Sequence, residues 1–505
     1  MAASLLSNLT GLLRQILVTR AFGTGVEMDA FSSASIYPDL VFSLIAGGAL
    51  ASAFIPTLSS LLAEDDREGA WLLSSSILNL VLLLLAAVSL ISALFSPQIV
   101  RYFLAPDYPL LEQALTASLM RILLLTPAIF GISGLLMGIL NTHQVFLWPA
   151  LAPSFYWLGM IFGLLFFVPS MGIFGLAWGA VLGAGMHLGI QLPAFARLPA
   201  RRYIPTLGLH FPAVYEVGRL MAPRLLGVAV VQLNFVVNSI LASGQPEGSL
   251  AAIRYAWMVM TMPQVVIAQA IAIAALPTFS TQAARGALHE MRNSLAATLR
   301  GVLLLSLPAS LGLILLRRPV TALLFQRGEF TAHSTDLVAW ALLWYSAGLV
   351  GHSVVEILSR AFYALHDTKT PVLVGAVAMS LNLGFSVLFS AWFTQLGLPP
   401  HGGLALANSL ATGLEMLGLL VFMRRRLNGL SGRRILSGGG QAAAASLVMS
   451  LALWGWLQWM AGQPVWLVAG GGVIAGGVVF ALMVWLLRVP EAGSLWAEAR
   501  RYLGR

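Results

Sequence analysis

Cysteine is absent from this chain of 505 residues, and lysine occurs once, at Lys369. Without cysteine there is no disulfide framework, no thiolate metal site and no cysteine nucleophile. Charge is also scarce. Asp, Glu, Lys and Arg make up 9% of the residues, against about 25% in a soluble globule. No polar linker is long enough to hold a separate soluble domain, so a nucleic-acid-binding module is excluded despite a formal net charge of +9. HExxH, a phosphate-cradling loop and paired metal-ligand spacings are all missing, which predicts neither a bound metal nor a cofactor. The eight histidines are scattered, mostly at the ends of apolar runs. Glu27 and Asp29 would fit the acidic pair of a membrane glycosyltransferase, but the large outer domain of such enzymes has no counterpart here. The chain does not read as an enzyme.

What remains is apolar: 58% of residues are hydrophobic and the mean hydropathy is +0.86. A spanning helix needs about 20 apolar residues, and about 14 such stretches can be read along the chain. The longest (33–60, 213–242, 249–281 and 334–363) contain Pro, Gly or charge and are expected to bend or to extend past the hydrocarbon. The first stretch, 3–22, carries Arg14 and lacks a cleavage pattern, so it reads as a retained span. With the N-terminus inside, the cytoplasmic connections and C-terminal tail collect 16 basic residues and the opposite side 5. The positive-inside rule therefore places both termini in the cytoplasm.

Three segments repeat in order. "ASAFIPTLSS" (51–60) matches "AIAALPTFST" (272–281), an offset of 221. The turns holding Pro149 and Pro371 match at an offset of 222, and "GLAWGA" from Gly175 matches "GLALAN" from Gly403 at 228. The offset spans six apolar stretches, an even number, so the two copies point the same way through the membrane. The expected fold is an all-α polytopic membrane protein. Two six-helix lobes, 1–200 and 201–430, are related by a parallel pseudo-two-fold repeat around a central cavity, and 431–505 adds two further helices and a basic tail. This architecture is typical of transporters.

Ionisable groups at mid-bilayer cost about 3 kcal/mol or more and call for a reason. They are Arg14, Asp39, Arg224, Arg254, Glu356, Arg360 and Glu415. Glu356 and Arg360 are four apart, which suits an intrahelical ion pair, with gating between lobes as the functional alternative. Arg14 and Arg224 lie on equivalent first spans of the two lobes, and Arg254 on the next. Three guanidiniums with Asp39 as the available counter-charge suit an anion, because arginine recognises phosphate bidentately. The alternative is that each pairs separately at a helix end. Pro38, Pro56, Pro127, Pro223, Pro263 and Pro277 are expected to interrupt helices, and the small residues around Gly47 and Gly48 permit close helix approach.

Further motifs resemble a known family. "GLLRQILVTRAFGTGVEMDAF" (11–31), "GILNTHQVFLWPALAP" (138–153), "LASGQPEGSLAAIRYA" (241–256), "LFQRGEFT" (324–331) and "RAFYALHDTKTPV" (360–372) are similar to signatures of the MurJ (MviN) lipid II flippases across nearly the whole chain. The resemblance implies 14 spans in two lobes, within the superfamily of multidrug and oligosaccharidyl-lipid exporters. It also implies a bacterial inner-membrane flippase that moves undecaprenyl-pyrophosphate-linked peptidoglycan precursor (lipid II) to the periplasmic leaflet without ATP. Its partners would be lipid II, membrane lipids and cell-wall synthesis proteins, and membrane potential or a monovalent cation would drive it. Arg14 and Asp29 match the family's first arginine and its aspartate, which makes Asp29 a candidate headgroup contact. Elsewhere the chain departs from the family: Gln15 replaces an acid, Phe42 an arginine, Gly47 a glutamate, and Trp257 and Met258 an Asp-Arg pair. Arg254, one helical turn before Met258, is expected to substitute for the missing arginine. Asn238, Asn382 and Ser386 occupy a degenerate sodium-site position. A polysaccharide-unit or drug/cation exporter of the same superfamily, or a non-transporting cell-wall scaffold, are the competing readings.

Overall fold

The computed structural model describes residues 2–45, 48–199 and 202–489. The side chains of 2, 4, 5, 48–52, 222–224, 226, 227 and 229–231 lie outside that description. So does Gly47, while Gly48 opens a helix and Arg224 is described only as backbone.

The described residues form helices joined by short turns. The chain runs α1 (Ala2–Phe22), α2 (Val26–Ile45), α3 (Gly48–Ala63), α4 (Arg67–Leu94), α5 (Leu110–Leu123), α6 (Leu125–Thr142), α7 (Leu147–Phe166) and α8 (Ile173–Gly189). It continues with α9 (Pro212–Ser243), α10 (Ser249–Gln264), α11 (Ala270–Ala284), α12 (Leu288–Phe325), α13 (Ala332–Ala364), α14 (Lys369–Gln395), α15 (His401–Arg426), α16 (Gly432–Trp459) and α17 (Val465–Leu486). Among the described residues, 11 helical runs are long and apolar enough to cross a membrane. α1 and α2 fall outside that set because Arg14 and Arg20, and Glu27, Asp29 and Asp39, dilute their apolar residues.

Lipid is the solvent these helices are built for. Along α4, Leu83, Leu90, Ile91 and Leu94 stand exposed, a face that water would penalise and acyl chains accept. α17 exposes Trp466 at its start and Trp485 at its end. Nineteen residues of helix separate them, about 28 Å, close to the roughly 30 Å hydrocarbon thickness. Both rings therefore reach the interfacial belts that tryptophan prefers.

Within the apolar run 33–60, α2 is described to Ile45 and α3 from Gly48, and residues 46 and 47 lie outside the described residues. The prolines act unevenly. Pro38, Pro56 and Pro277 sit inside continuous helices, whereas α6 restarts two residues before Pro127 and a π-helical turn, Val265–Gln269, follows Pro263. A proline lacks the N–H for the i−4 carbonyl, and a π-turn is one way the backbone absorbs that loss.

The chain forms two compact units, 1–251 with 327–330, and 252–326 with 331–505. The first buries Phe54, Leu58, Leu73, Leu85 and Leu140 in one apolar core, the second Phe279, Met291, Ile357, Phe362 and Leu419 in another. In the first unit the basic connection after residue 201 is an extended strap along α4. Asn79 Nδ2 donates to Thr206 O (2.8 Å) and Ile204 O (3.3 Å), and the Tyr203 hydroxyl donates back to Asn79 Oδ1 (2.7 Å). Left-handed backbone positions recur at the repeat's offset, with Asp65 (φ 56°) and Gly286 (φ 66°), and Gln144 (φ 61°) and His366 (φ 58°). The second turn of the latter pair is fixed by Asp367, whose carboxylate accepts from the Thr370 N–H (3.0 Å) and hydroxyl (2.7 Å). The Thr370 N–H holds that carboxyl below its ordinary range.

α7 and α8 pack backbone to backbone. A Cβ at Gly159 would collide with Gly183, and one at Gly163 with Gly179, the small-xxx-small arrangement by which membrane helices maximise contact. Gly163→Val is expected to destabilise the protein by about 3 kcal/mol, the upper end for overpacking, and to lower the melting temperature in detergent. Gly185→Ala, where nothing lies within 4 Å, is expected to leave it unchanged. Equal melting of the two would refute the packing.

Candidate functional site

Arg14 lies in the middle of α1, half-buried, with its guanidinium carbon 4.7 Å over the Trp157 ring of α7. Gly11, one turn earlier, makes room: a Cβ there would come 3.2 Å from the indole nitrogen. Such cation–π stacking contributes about 0.5–2 kcal/mol and holds the planar guanidinium by its face. Tyr156 packs on Trp157 at 4.7 Å and edge-on against Phe130 at 5.1 Å. Phe130 in turn meets Phe42 (5.6 Å) and His187 (5.3 Å). His187 Nδ1 lies 2.6 Å from the Ser133 hydroxyl, which accepts from Gln191 Nε2 at 2.7 Å. The charges of Arg14 and Asp39 both act on the Tyr156 hydroxyl, so α1, α2 and α7 gather a cation, an anion and an aromatic wall in the first unit. Asp39 itself is exposed.

Asp29 does something different from its expected part. It is 3% exposed, and its two oxygens accept from the Gly248 N–H (2.7 Å) and the Ala251 N–H (2.8 Å) at the start of α10. Glu247, just before that start, accepts from the Val26 N–H (3.0 Å) at the start of α2. Each helix N-terminus is thus capped by the other's carboxylate, where unpaired N–H groups and the helix dipole favour negative charge. The buried geometry gives Asp29 a positioning role in place of a headgroup contact. It fixes the first turn of α10, and the next turn carries Arg254. Sequence alone shows the carboxylate but not the amides that claim it.

In the second unit Arg254 is half-buried on α10. Trp257, where the family pattern has a charge, packs edge-on against Tyr345 (5.2 Å) and His352 (5.3 Å). His352 Nε2 lies 3.1 Å from Asn408 Oδ1. Arg360 donates to Glu356 at 2.9 Å, one turn apart on α13, the intrahelical ion pair that their spacing suits. Glu415 lines a largely apolar cavity of about 320 Å³ with Leu373, Val377 and Leu414. Of the degenerate sodium-site residues, Asn238 donates to Asn234 Oδ1 (3.0 Å) in the first unit, and Ser386 to Asn382 Oδ1 (3.3 Å) in the second. Among the described residues no group of three or more His, Asp or Glu is placed to hold a metal. Trp157 escaped the sequence reading because aromatics are frequent in membrane helices. The glycine one turn before a mid-span arginine was the available signal.

Comparison with known proteins decides the family. The family model described as "Lipid II flippase MurJ" matches residues 18–482. The chain belongs to the MurJ family. The lipid II flippase MurJ of Burkholderia cenocepacia is 31% identical over 431 residues, covering 84% of this chain and 82% of that protein. The probable lipid II flippase MurJ of Vibrio cholerae is 29% identical over 506 aligned positions, covering 96% and 94%. A solved lipid II flippase MurJ in an inward closed conformation superposes with a TM-score of 0.81 at 24% identity, covering 100% of this chain and 99% of that one. An inward-facing MATE multidrug transporter of the MOP superfamily gives 0.70 at 18% identity, covering 84% and 96%. The MurJ fold, polytopic and all-helical, is therefore the fold of this chain.

Proposed function

We propose that this chain is a lipid II flippase. It moves undecaprenyl-pyrophosphate-linked peptidoglycan precursor from the cytoplasmic to the periplasmic leaflet of a bacterial inner membrane by alternating access. The observation that carries the reading is a MurJ-family chain holding an arginine by its face on an aromatic wall in mid-span. A disaccharide–peptide headgroup with a diphosphate cannot cross hydrocarbon unaided, whereas its lipid tail can stay in the bilayer. In this reading Arg14, Arg224 and Arg254 receive the diphosphate and Asp39 tempers their charge. Fourteen spans form the lobes 1–200 and 201–430, followed by 431–505, with both termini in the cytoplasm. The paired left-handed turns at the repeat's offset support the duplication.

The step needs no covalent chemistry. Membrane potential is worth about 2.3 kcal/mol per elementary charge per 100 mV, enough to bias a cycle that moves a net charge; a monovalent cation is the other candidate driver. Gating falls to Pro263, with its π-turn, and to the Glu356–Arg360 pair. Membrane lipids and cell-wall synthesis proteins are its proposed partners. A cationic-drug exporter fits less well, because the charge presented at mid-span of α1 is positive.

The test is complementation of a bacterium depleted of its own lipid II flippase, with membrane insertion checked by immunoblot. Rescue of growth and of lipid II surface exposure is the expected result. Correct insertion without rescue would favour an exporter of another substrate or a non-transporting scaffold.

A further inference from the structure

One cavity of about 720 Å³ is lined by residues of the second unit, and neither Arg254 nor Trp257, Tyr345 or His352 is among them. Five arginines line it: Arg292 and Arg300 from α12, Arg433 and Arg434 from the first turn of α16, and Arg488 just past α17. Among the described residues, none that lines it is acidic. Arg292, Arg433, Arg434 and Arg488 make no ion pair among the described residues. Arg292 is part-committed, since its Nη1 donates to Asn428 O at 3.2 Å, yet its buried Nε has no hydrogen-bond partner among the described residues. Gly438 lets the stem of Arg300 lie against α16, where a Cβ would come within 2.8 Å of it.

The N-terminus of α16, a helix of 28 residues, opens at the same place. Ser431 precedes it in a left-handed conformation (φ 51°), and its side chain makes no capping hydrogen bond. Helix dipole and guanidiniums therefore add in sign. Gathering Arg292, Arg433, Arg434 and Arg488 in one hollow with no ion pair among the described residues is unfavourable unless an anion occupies it, and a phosphate matches the planar donor fork of arginine.

The surroundings say where that phosphate comes from. Leu436, 77% exposed, stands beside Arg433 and Arg434, and exposed Leu447 and Leu451 continue the line along α16. An apolar stripe leading from a basic hollow into the bilayer is the profile of a lipid with an anionic head. We propose that this cavity binds the phosphate of an anionic phospholipid headgroup, with the acyl chains lying along α16. Free inorganic phosphate shares the recognised chemistry and is the other source. The site stands apart from the transport reading, since none of its residues is assigned to the headgroup path.

The test uses the detergent-purified full chain and native mass spectrometry with phosphatidylglycerol, phosphatidylcholine or inorganic phosphate. Wild type is expected to retain phosphatidylglycerol in preference to phosphatidylcholine. The Arg433→Gln/Arg434→Gln variant should lose that binding about thirtyfold, the product of two basic contributions near an anionic headgroup, while Arg433→Lys/Arg434→Lys keeps most of it. Phosphatidylglycerol should also shield Arg433, Arg434 and Arg488 of the wild type from phenylglyoxal, a readout that needs no variant. Shielding by inorganic phosphate and not by the lipid would keep the phosphate site and assign it to the free anion. Equal retention of the two lipids with no shielding by either phosphate source would overturn the proposal, as would undiminished binding in the glutamine variant. Loss of binding with lipid II transport intact would separate this site from the flippase reading.

Discussion

Arg14→Ala is expected to lower lipid II translocation by about ten- to a hundredfold, while the protein melts within a few degrees of wild type. The range follows from the loss of a charge-assisted hydrogen-bonding group, worth about 1.5–3 kcal/mol. Arg14→Lys should recover only part of the activity. An ammonium keeps the charge but not the fork that engages two phosphate oxygens at once, and it stacks less well on an indole. Trp157→Leu isolates the support: the charge stays while the face-on contact at 4.7 Å is lost. About 0.5–2 kcal/mol of cation–π interaction translates into a smaller defect. Rates would be read in proteoliposomes as the appearance of labelled lipid II in the outer leaflet, with inserted protein quantified in parallel. If Arg14→Ala transports at the parental rate, the cationic path is wrong and the substrate assignment rests on family membership alone.

The ease of finding Arg14 in the sequence, and the difficulty of finding its partners, have one physical origin. A charge inside an apolar run stands out because lipid cannot solvate it. Trp157, Tyr156 and Phe130 cannot stand out in that way, since each is at home in hydrocarbon, and only the fold brings them to the guanidinium. Helix positions were legible because lipid leaves the backbone no alternative to internal hydrogen bonds. The five arginines of the basic cavity illustrate a further loss of information. Read along the chain, Arg292, Arg433, Arg434 and Arg488 only mark which side a loop is on. Tertiary structure turns three separate segments into one hollow, and composition cannot report that.

Asp29→Ala is expected to act through folding. The carboxylate accepts from two buried backbone N–H groups, and removing it strands both donors at about 1–3 kcal/mol each. The sum, roughly 2–6 kcal/mol, is a large fraction of the stability of a typical domain. Less folded protein should reach the membrane, and what is purified should melt earlier. Asp29→Asn should fall between the two, because one amide oxygen can serve only one edge of the pair while the NH2 group confronts the other donor. Glu247→Ala should cost less than either, as its single bond to Val26 is solvent-exposed and water can replace it. This ordering separates a clasp from a ligand. A headgroup ligand, once removed, leaves melting unchanged and abolishes transport; a clasp lowers melting first, and transport follows the amount of folded protein. Normal melting of Asp29→Ala with no translocation would return Asp29 to the substrate path.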